Sequence, residues 1–232
     1  MKRYISFTNR IPVGAGANVQ PTIPVDVPFL VRKLTANSTV GLFSCQTKLA
    51  GRPMSLGRIT QNNHFGVNTL PCILTAPGYV PAGSEIGLDI LDLSGFAQVV
   101  EITFHGVTGN EKELAEISEN FKHLPYFYAG AVALAPLGAF PLVIQTEADA
   151  PFRIIKLMAA NLGAFDARID VNGSYLNRQY QRNVSLFGTA QLPLAIDPYD
   201  VAARSKIQID LLDTSGFANP LEIVLMGHKV LK

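Results

Sequence analysis

Ile86 to Gly106 reads IGLDILDLSGFAQVVEITFHG, and Ile207 to Gly227 reads IQIDLLDTSGFANPLEIVLMG. About half of the positions are identical, among them Asp89 and Asp210, Asp92 and Asp213, Glu101 and Glu222, and Gly106 and Gly227. Self-similarity over such a length marks an internal repeat. Within each stretch, Ile86-Leu88-Ile90 and Ile207-Ile209-Leu211 alternate with polar or small residues, the period of a half-buried strand. Ser94-Gly95 and Ser215-Gly216 then supply a turn, and Val99 to Phe104 and Leu221 to Leu225 read as the returning strands.

The match continues upstream. Val25-Asp26-Val27-Pro28-Phe29 pairs with Ala148-Asp149-Ala150-Pro151-Phe152, and Lys33-Leu34 with Lys156-Leu157. Gly41 and Phe43 pair with Gly163 and Phe165, Gly51 with Gly173, Phe65-Gly66 with Phe187-Gly188, Pro71 with Pro193 and Pro77 with Pro198. The offset drifts only slightly, as loop insertions allow. Two copies are too few for a solenoid, and each is long enough to close a core of its own. The expected architecture is all-β: a tandem duplication of a jelly-roll-like antiparallel β-sandwich, with repeats over 1–109 and 126–232. Asn172-Gly173, flanked by alternating residues from Asp166 to Leu176, is a strong hairpin signal; the first copy has Ala50-Gly51 there. Between the repeats, residues 110–125 form a linker. Asn110 is placed to cap a short helix over 111–121, with Leu114, Ile117 and Phe121 on one face.

Composition agrees with many short strands. Hydrophobic residues make up 48% of the 232, charged residues only 16%, and 19 Gly with 15 Pro leave little room for long helices. A net charge of +1 offers no long-range attraction to nucleic acid or to an anionic membrane. So few charges fit a surface partly covered by other subunits. The segment MKRYISFTNR lacks the apolar centre of a secretory signal, and the most apolar stretch, Gly130 to Ile144, is short and interrupted by Pro136 and Pro141. These features imply synthesis and folding in a cytoplasm.

The duplication permits a test for chemistry, because each candidate residue can be compared with its counterpart. Cys45 corresponds to Ala167 and Cys72 to Leu194, so both cysteines read as small buried hydrophobes. His105 corresponds to Met226 and His64 to Leu186; His123 and His228 are scattered, and no zinc spacing exists. Gly14-Ala15-Gly16 lacks the third glycine and the helix of a dinucleotide loop and reads as a flexible loop. Asp89 and Asp92, like Asp210 and Asp213, could pair on an ion. Their spacing on a strand sends the two side chains to opposite faces, so one is expected to cap the turn at Ser94-Gly95 or Ser215-Gly216 and the other to be solvated. No catalytic residues, cofactor or metal are expected.

The copies differ most between the central hairpin and Phe-Gly. There the second carries Tyr175, Arg178, Tyr180 and Arg182, a composition enriched at interfaces, so these four are the candidate contact residues. The N-terminal arm to Pro24, rich in Gly, Pro and small residues, is expected to order only against a neighbouring subunit.

The run of Asp, Pro-Phe and Lys-Leu, a central hairpin, Phe-Gly, then Ile-x-Ile/Leu-Asp-x-x-Asp-x-Ser-Gly-Phe-Ala and a closing Glu-Ile strand resembles β-sandwich structural proteins of tailed-bacteriophage virions. Some of these decorate or cement the capsid. The resemblance covers both copies and implies a non-enzymatic protein of the virion. Its partners would be the major capsid protein or other virion proteins, in a homo-oligomer, with neither nucleic acid nor membrane bound. Two alternatives stay open: a tail, collar or fibre-anchoring protein, and a carbohydrate- or receptor-binding module using Tyr175 and Tyr180.

Overall fold

The computed structural model describes residues 2–67, 69–121, 123–189 and 192–231, and of 118–121 the backbone alone. The expected packing of the Phe121 side chain lies outside the described residues. The first half of the chain runs β1 (Arg3–Val13), β2 (Asn18–Val19), β3 (Thr22–Val25), β4 (Phe29–Ser38), β5 (Phe43–Leu49), β6 (Arg52–Pro53) and β7 (Ile59–Thr60). Helix α1 (Gln61–His64) follows, then β8 (Cys72–Val80), β9 (Ser84–Asp92) and β10 (Gln98–Thr108). Helix α2 (Glu111–Phe121) leads to β11 (His123–Leu134), β12 (Ala139–Gln145), β13 (Phe152–Asn161), β14 (Phe165–Val171), β15 (Ser174–Tyr175) and β16 (Gln181–Arg182). The chain closes with α3 (Asn183–Leu186), β17 (Leu194–Val201), β18 (Lys206–Asp213) and β19 (Asn219–Val230).

These strands make two jelly-roll sandwiches of the same winding. In the first, the sheet β1-β10-β4-β8 faces a sheet in which β9 lies between β5 and the short strands β2 and β3, with β6 and β7 on the far side of β5. In the second, β11-β19-β13-β17 faces β12-β18-β14, with β15 and β16 on β14. All strand pairs are antiparallel. Alternation puts Phe43, Cys45, Ile86, Ile90, Phe29 and Phe104 into the first core. The same positions of the second copy, Phe165, Ala167, Ile207, Leu211, Phe152 and Leu225, fill the second. Both cysteines are free and fully buried, and burial pushes each thiol up to about 12.

The N-terminal arm is not a loose extension. β1 pairs with β10 along its whole length, from Arg3 opposite Thr108 to Val13 opposite Gln98, and sends Ile11 and Val13 into the core. Its alternation, rather than its small residues, decides its structure. Gly14-Ala15-Gly16 is likewise a tight turn, held by the Gly16 N–H on Asp92 Oδ2 at 2.8 Å.

Two recurring pairs have plain causes. Asn172-Gly173 takes φ of +52° and +87°, the left-handed pair of a type I′ hairpin, and Ala50-Gly51 takes +48° and +77°. Gly66 docks on β4, its N–H donating to the Leu34 carbonyl at 3.2 Å while the Ala36 N–H donates to the Gly66 carbonyl at 2.9 Å; Gly188 repeats this on β13. A Cβ there would stand 2.1 Å from the Leu70 carbonyl oxygen, or the Leu192 oxygen in the second copy, so no other residue fits.

Helix α2 begins as expected, with Asn110 Oδ1 accepting from the Lys112 N–H at 2.9 Å, and it buries Leu114 beside β8. Among the described residues no helix is long and apolar enough to cross a membrane.

An alanine held at positive φ is strained where asparagine is not. Ala50→Asn is therefore expected to stabilise the chain by about 0.5–1 kcal/mol. Gly66→Ala should cost about 3 kcal/mol or more through backbone collision. Urea midpoints measure both, and an unchanged Gly66→Ala midpoint would refute the packing described.

Candidate functional site

The repeated aspartates resolve into two roles. Asp92 is buried at the start of the turn after β9, and its oxygens accept from Ser94 Oγ at 2.6 Å, Gly95 N–H at 2.9 Å, Gly16 N–H at 2.8 Å and Gln98 Nε2 at 2.5 Å. Asp213 repeats this with Ser215 Oγ at 2.7 Å, Gly216 N–H at 3.0 Å, Leu137 N–H at 2.9 Å and Asn219 Nδ2 at 3.3 Å. So many donors hold both carboxyls below the usual carboxylate range. Their lone pairs are spent on the turn, leaving none for an ion. The other aspartate of each pair is not solvated as the sequence suggests. Asp89 pairs with Arg58 and Asp210 with Arg168, each at 2.8 Å and half-buried on the opposite face. Among the described residues no group of three or more His, Cys, Asp or Glu is placed to hold a metal.

The four candidate contact residues lie around β15 and β16, and all are exposed. Their organiser is Arg168 on β14, which the sequence did not single out. Its guanidinium stands 4.5 Å from the Tyr175 ring centre and 5.2 Å from that of Tyr180, while pairing with Asp210. Each tyrosine thus turns one face to a cation inside its own sandwich, which removes that face as a platform for a sugar. Arg182 reaches Asp166 at 3.3 Å and donates to the Thr214 hydroxyl. Arg178 points into solvent, apart from these pairs.

The more consequential surface lies inside the chain. The outer face of β11-β19-β13 is covered by the first sandwich, so β19 is buried on nearly every residue. Phe127, Met158, Val224 and Met226 join the first core rather than their own. His64 of α1 stacks on Phe127 at 5.0 Å, and the Phe127 N–H donates to the Met54 carbonyl at 2.8 Å. At the rim of this seam, Glu222 accepts from the Thr60 N–H at 3.1 Å, Thr60 Oγ1 at 2.5 Å and Asn63 Nδ2 at 3.0 Å. Lys156 Nζ donates to the Ile73 carbonyl at 3.0 Å, and Thr75 Oγ1 to the Gly227 carbonyl at 2.7 Å. One sandwich therefore offers its outer sheet face, and the other offers α1 and β8.

Contact of this kind leaves two unlike surfaces outside the seam: the outer face of β1-β10-β4, where Ser6, Thr8 and Arg10 are exposed and Thr35 and Thr103 are buried between them and β8, and the β16–α3 segment with β17. The second carries apolar side chains in water, with Val184 79% exposed and Leu192 68%. β17 is exposed along most of its length, whereas its counterpart β8 is buried on alternate residues.

No family model and no curated protein matches this chain. Solved structures do. The chain is similar to the major capsid protein of STIV, the Sulfolobus turreted icosahedral virus, at 12% identity over 97% of each chain with a TM-score of 0.50. It is also similar to the major capsid protein P2 of bacteriophage PM2, at 13% identity over 100% of this chain and 98% of that one, with a TM-score of 0.49. At such identity the likeness to the first is one of fold, running the length of both chains.

Two tests address the seam. Glu222→Ala strands the Thr60 and Asn63 donors in a buried rim and is expected to cost about 1–3 kcal/mol in a urea titration; no loss would mean the latch contributes nothing. Burial pushes the His64 imidazole down to about 3, and burial and the neighbouring His123 push His228 down to about 4. An unfolded chain takes up these protons below about pH 6.5, the folded chain only near the lowered values, so stability falls with acid across that window. His64→Leu, the second-copy residue, should reduce the slope of stability against pH between 6 and 4 by about 1.4 kcal/mol per unit. An unaltered slope would show that His64 is not the group responsible.

Proposed function

We propose that this chain is a non-enzymatic structural component of a virion whose copies join side by side in a shell layer, each continuing the contact that its two sandwiches make. The observation that carries the reading is that internal contact. It is heterologous, face to edge, and the unsatisfied face and edge remain at the two ends of the pair. Repeating a heterologous contact closes a ring or extends a filament. The likeness of fold to a viral major capsid protein over nearly the whole of both chains supports a shell component, as does the low charge, which permits dense packing.

Two placements share this chemistry: the decoration or cement layer that the sequence resemblance implies, and the shell itself. The self-continuing contact favours the shell, because a cement protein binds chiefly to a different protein. Apolar side chains left in water where a neighbour would lie, Val184 and Leu192 foremost, fit either placement.

Quantitative mass spectrometry of purified virions separates them. The expected result is that this chain is the most abundant protein of the particle. A comparable but lesser copy number beside another shell protein would make it a decoration or cement protein. A few dozen copies would move it to a neck, tail or collar, and its absence from particles would end the structural reading.

A further inference from the structure

The two copies differ systematically on the outer face of one sheet. Where the second sandwich has Phe127, Ala129, Met158, Val224 and Met226, the first has Ser6, Thr8, Thr35, Thr103 and His105. The registers establish the equivalence: Ser6 lies opposite His105 and Phe127 opposite Met226, while Thr35 bridges Gly66 and Met158 bridges Gly188. Ser6 Oγ and Thr35 Oγ1 hold the two nitrogens of His105 at 2.8 and 3.0 Å, and Thr8 bonds Thr103 at 2.9 Å. The apolar face of the second copy has become hydroxyl-lined in the first.

On these three strands, two outward side chains are the same in both copies: Glu101 with Glu222, and Lys33 with Lys156. They are the two whose second-copy members reach across the internal seam, Glu222 to Thr60 and Lys156 to the Ile73 carbonyl. The matching positions on the other surface fit them. Counting back from Phe-Gly, Thr60 corresponds to Arg182, so a carboxylate's hydroxyl donor is replaced by a cation. Counting from Pro71 and Pro193, Ile73 corresponds to Ala195, whose carbonyl lies on exposed β17.

We propose that the outer face of β1-β10-β4 receives the β16–α3 segment and β17 of a second copy of this chain. Arg182 of one copy pairs with Glu101 of the next, and Lys33 donates to the Ala195 carbonyl. This rests on the self-continuing shell reading above and assigns its contact chemistry. Glu101 already carries Arg10 at 2.5 Å, and Arg182 carries Asp166, so docking makes a row of alternating sign: Arg10, Glu101, Arg182, Asp166. The seam within the chain is centred on buried apolar side chains, Phe127, Met158, Val224 and Met226. That between copies is hydroxyl-lined and charge-latched, a contact that can form and part without unfolding either sandwich.

The test is a charge reversal in the full chain, read by sedimentation equilibrium across protein concentration. Wild type is expected to form one oligomer of fixed copy number. Arg182→Glu and Glu101→Arg should each weaken association by about tenfold or more, and the double reversal should recover most of it. Lys33→Ala should weaken it without altering the charge row, and monomer melting midpoints show whether each variant folds. If wild type associates and the reversals associate equally well, this assignment is overturned while the shell reading stands. If wild type stays monomeric at every concentration, both fall.

Discussion

Everything in this structure hangs on one sheet having two apolar faces. β11-β19-β13 sends Leu221, Ile223 and Leu225 into its own sandwich and Phe127, Met158, Val224 and Met226 out of it. A sheet buried on both sides must be covered on both sides. Each of those four outward side chains is fully buried, which contributes about 1.5–3 kcal/mol relative to exposure. The second sandwich alone would present them to water. The outer face of the second sandwich therefore belongs to the first one's core, and helix α2 holds the two on one chain while seating Leu114 beside β8.

From that constraint follows the placement of the polar groups. An apolar seam tolerates buried polar atoms only where each finds a partner. Glu222 satisfies this with three donors from the far sandwich and so fixes the relative register of the two bodies as well as their adhesion. His64 satisfies it incompletely. Its Nε2 meets Thr47 at 3.0 Å while Nδ1 has no partner among the described residues, and burial of the ring disfavours its protonated form. The first sandwich, whose corresponding sheet has only one covered face, alternates in the ordinary way and can carry Ser, Thr and His outward at little cost.

How much of this was legible in the sequence depends on the range over which each feature is determined. The repeat, the hairpin at Asn172-Gly173 and the capping of α2 by Asn110 are set within a few residues and could be read directly. So could the division of Asp89 from Asp92 onto opposite faces, since strand alternation alone fixes it. What Asp89 does on its face could not, because its partner Arg58 lies 31 residues away in the chain. Arg168 escaped for the same reason: only the register of β14 with β18 sets it beside Asp210, and only the β14–β15 hairpin brings Tyr175 over it. The order of the arm before Pro24 is encoded by the alternation of Ile5, Phe7, Ile11 and Val13 rather than by its glycines and prolines. The internal seam did leave a trace. Leu221 to Met226 reads LEIVLM, nearly unbroken by polar residues where Val100 to His105 reads VEITFH, and a strand that loses its alternation is one covered twice.

The pattern of sameness and difference between the copies then has a physical division. What recurs is what local geometry demands: the aspartate that saturates a Ser-Gly turn, the Phe-Gly that a backbone carbonyl presses upon, the hydrophobes facing each core. What varies is the chemistry of the outer faces, and it varies by position rather than at random. Five outward sites that are apolar in the covered sheet are hydroxyl or imidazole in the open one, while Glu101 and Lys33 stay as they are. They are spared where their second-copy counterparts bridge two bodies. The open face is thus a polar version of the covered one with its two handles kept, and it matches the charge that Arg182 sets on the opposite surface of the same chain.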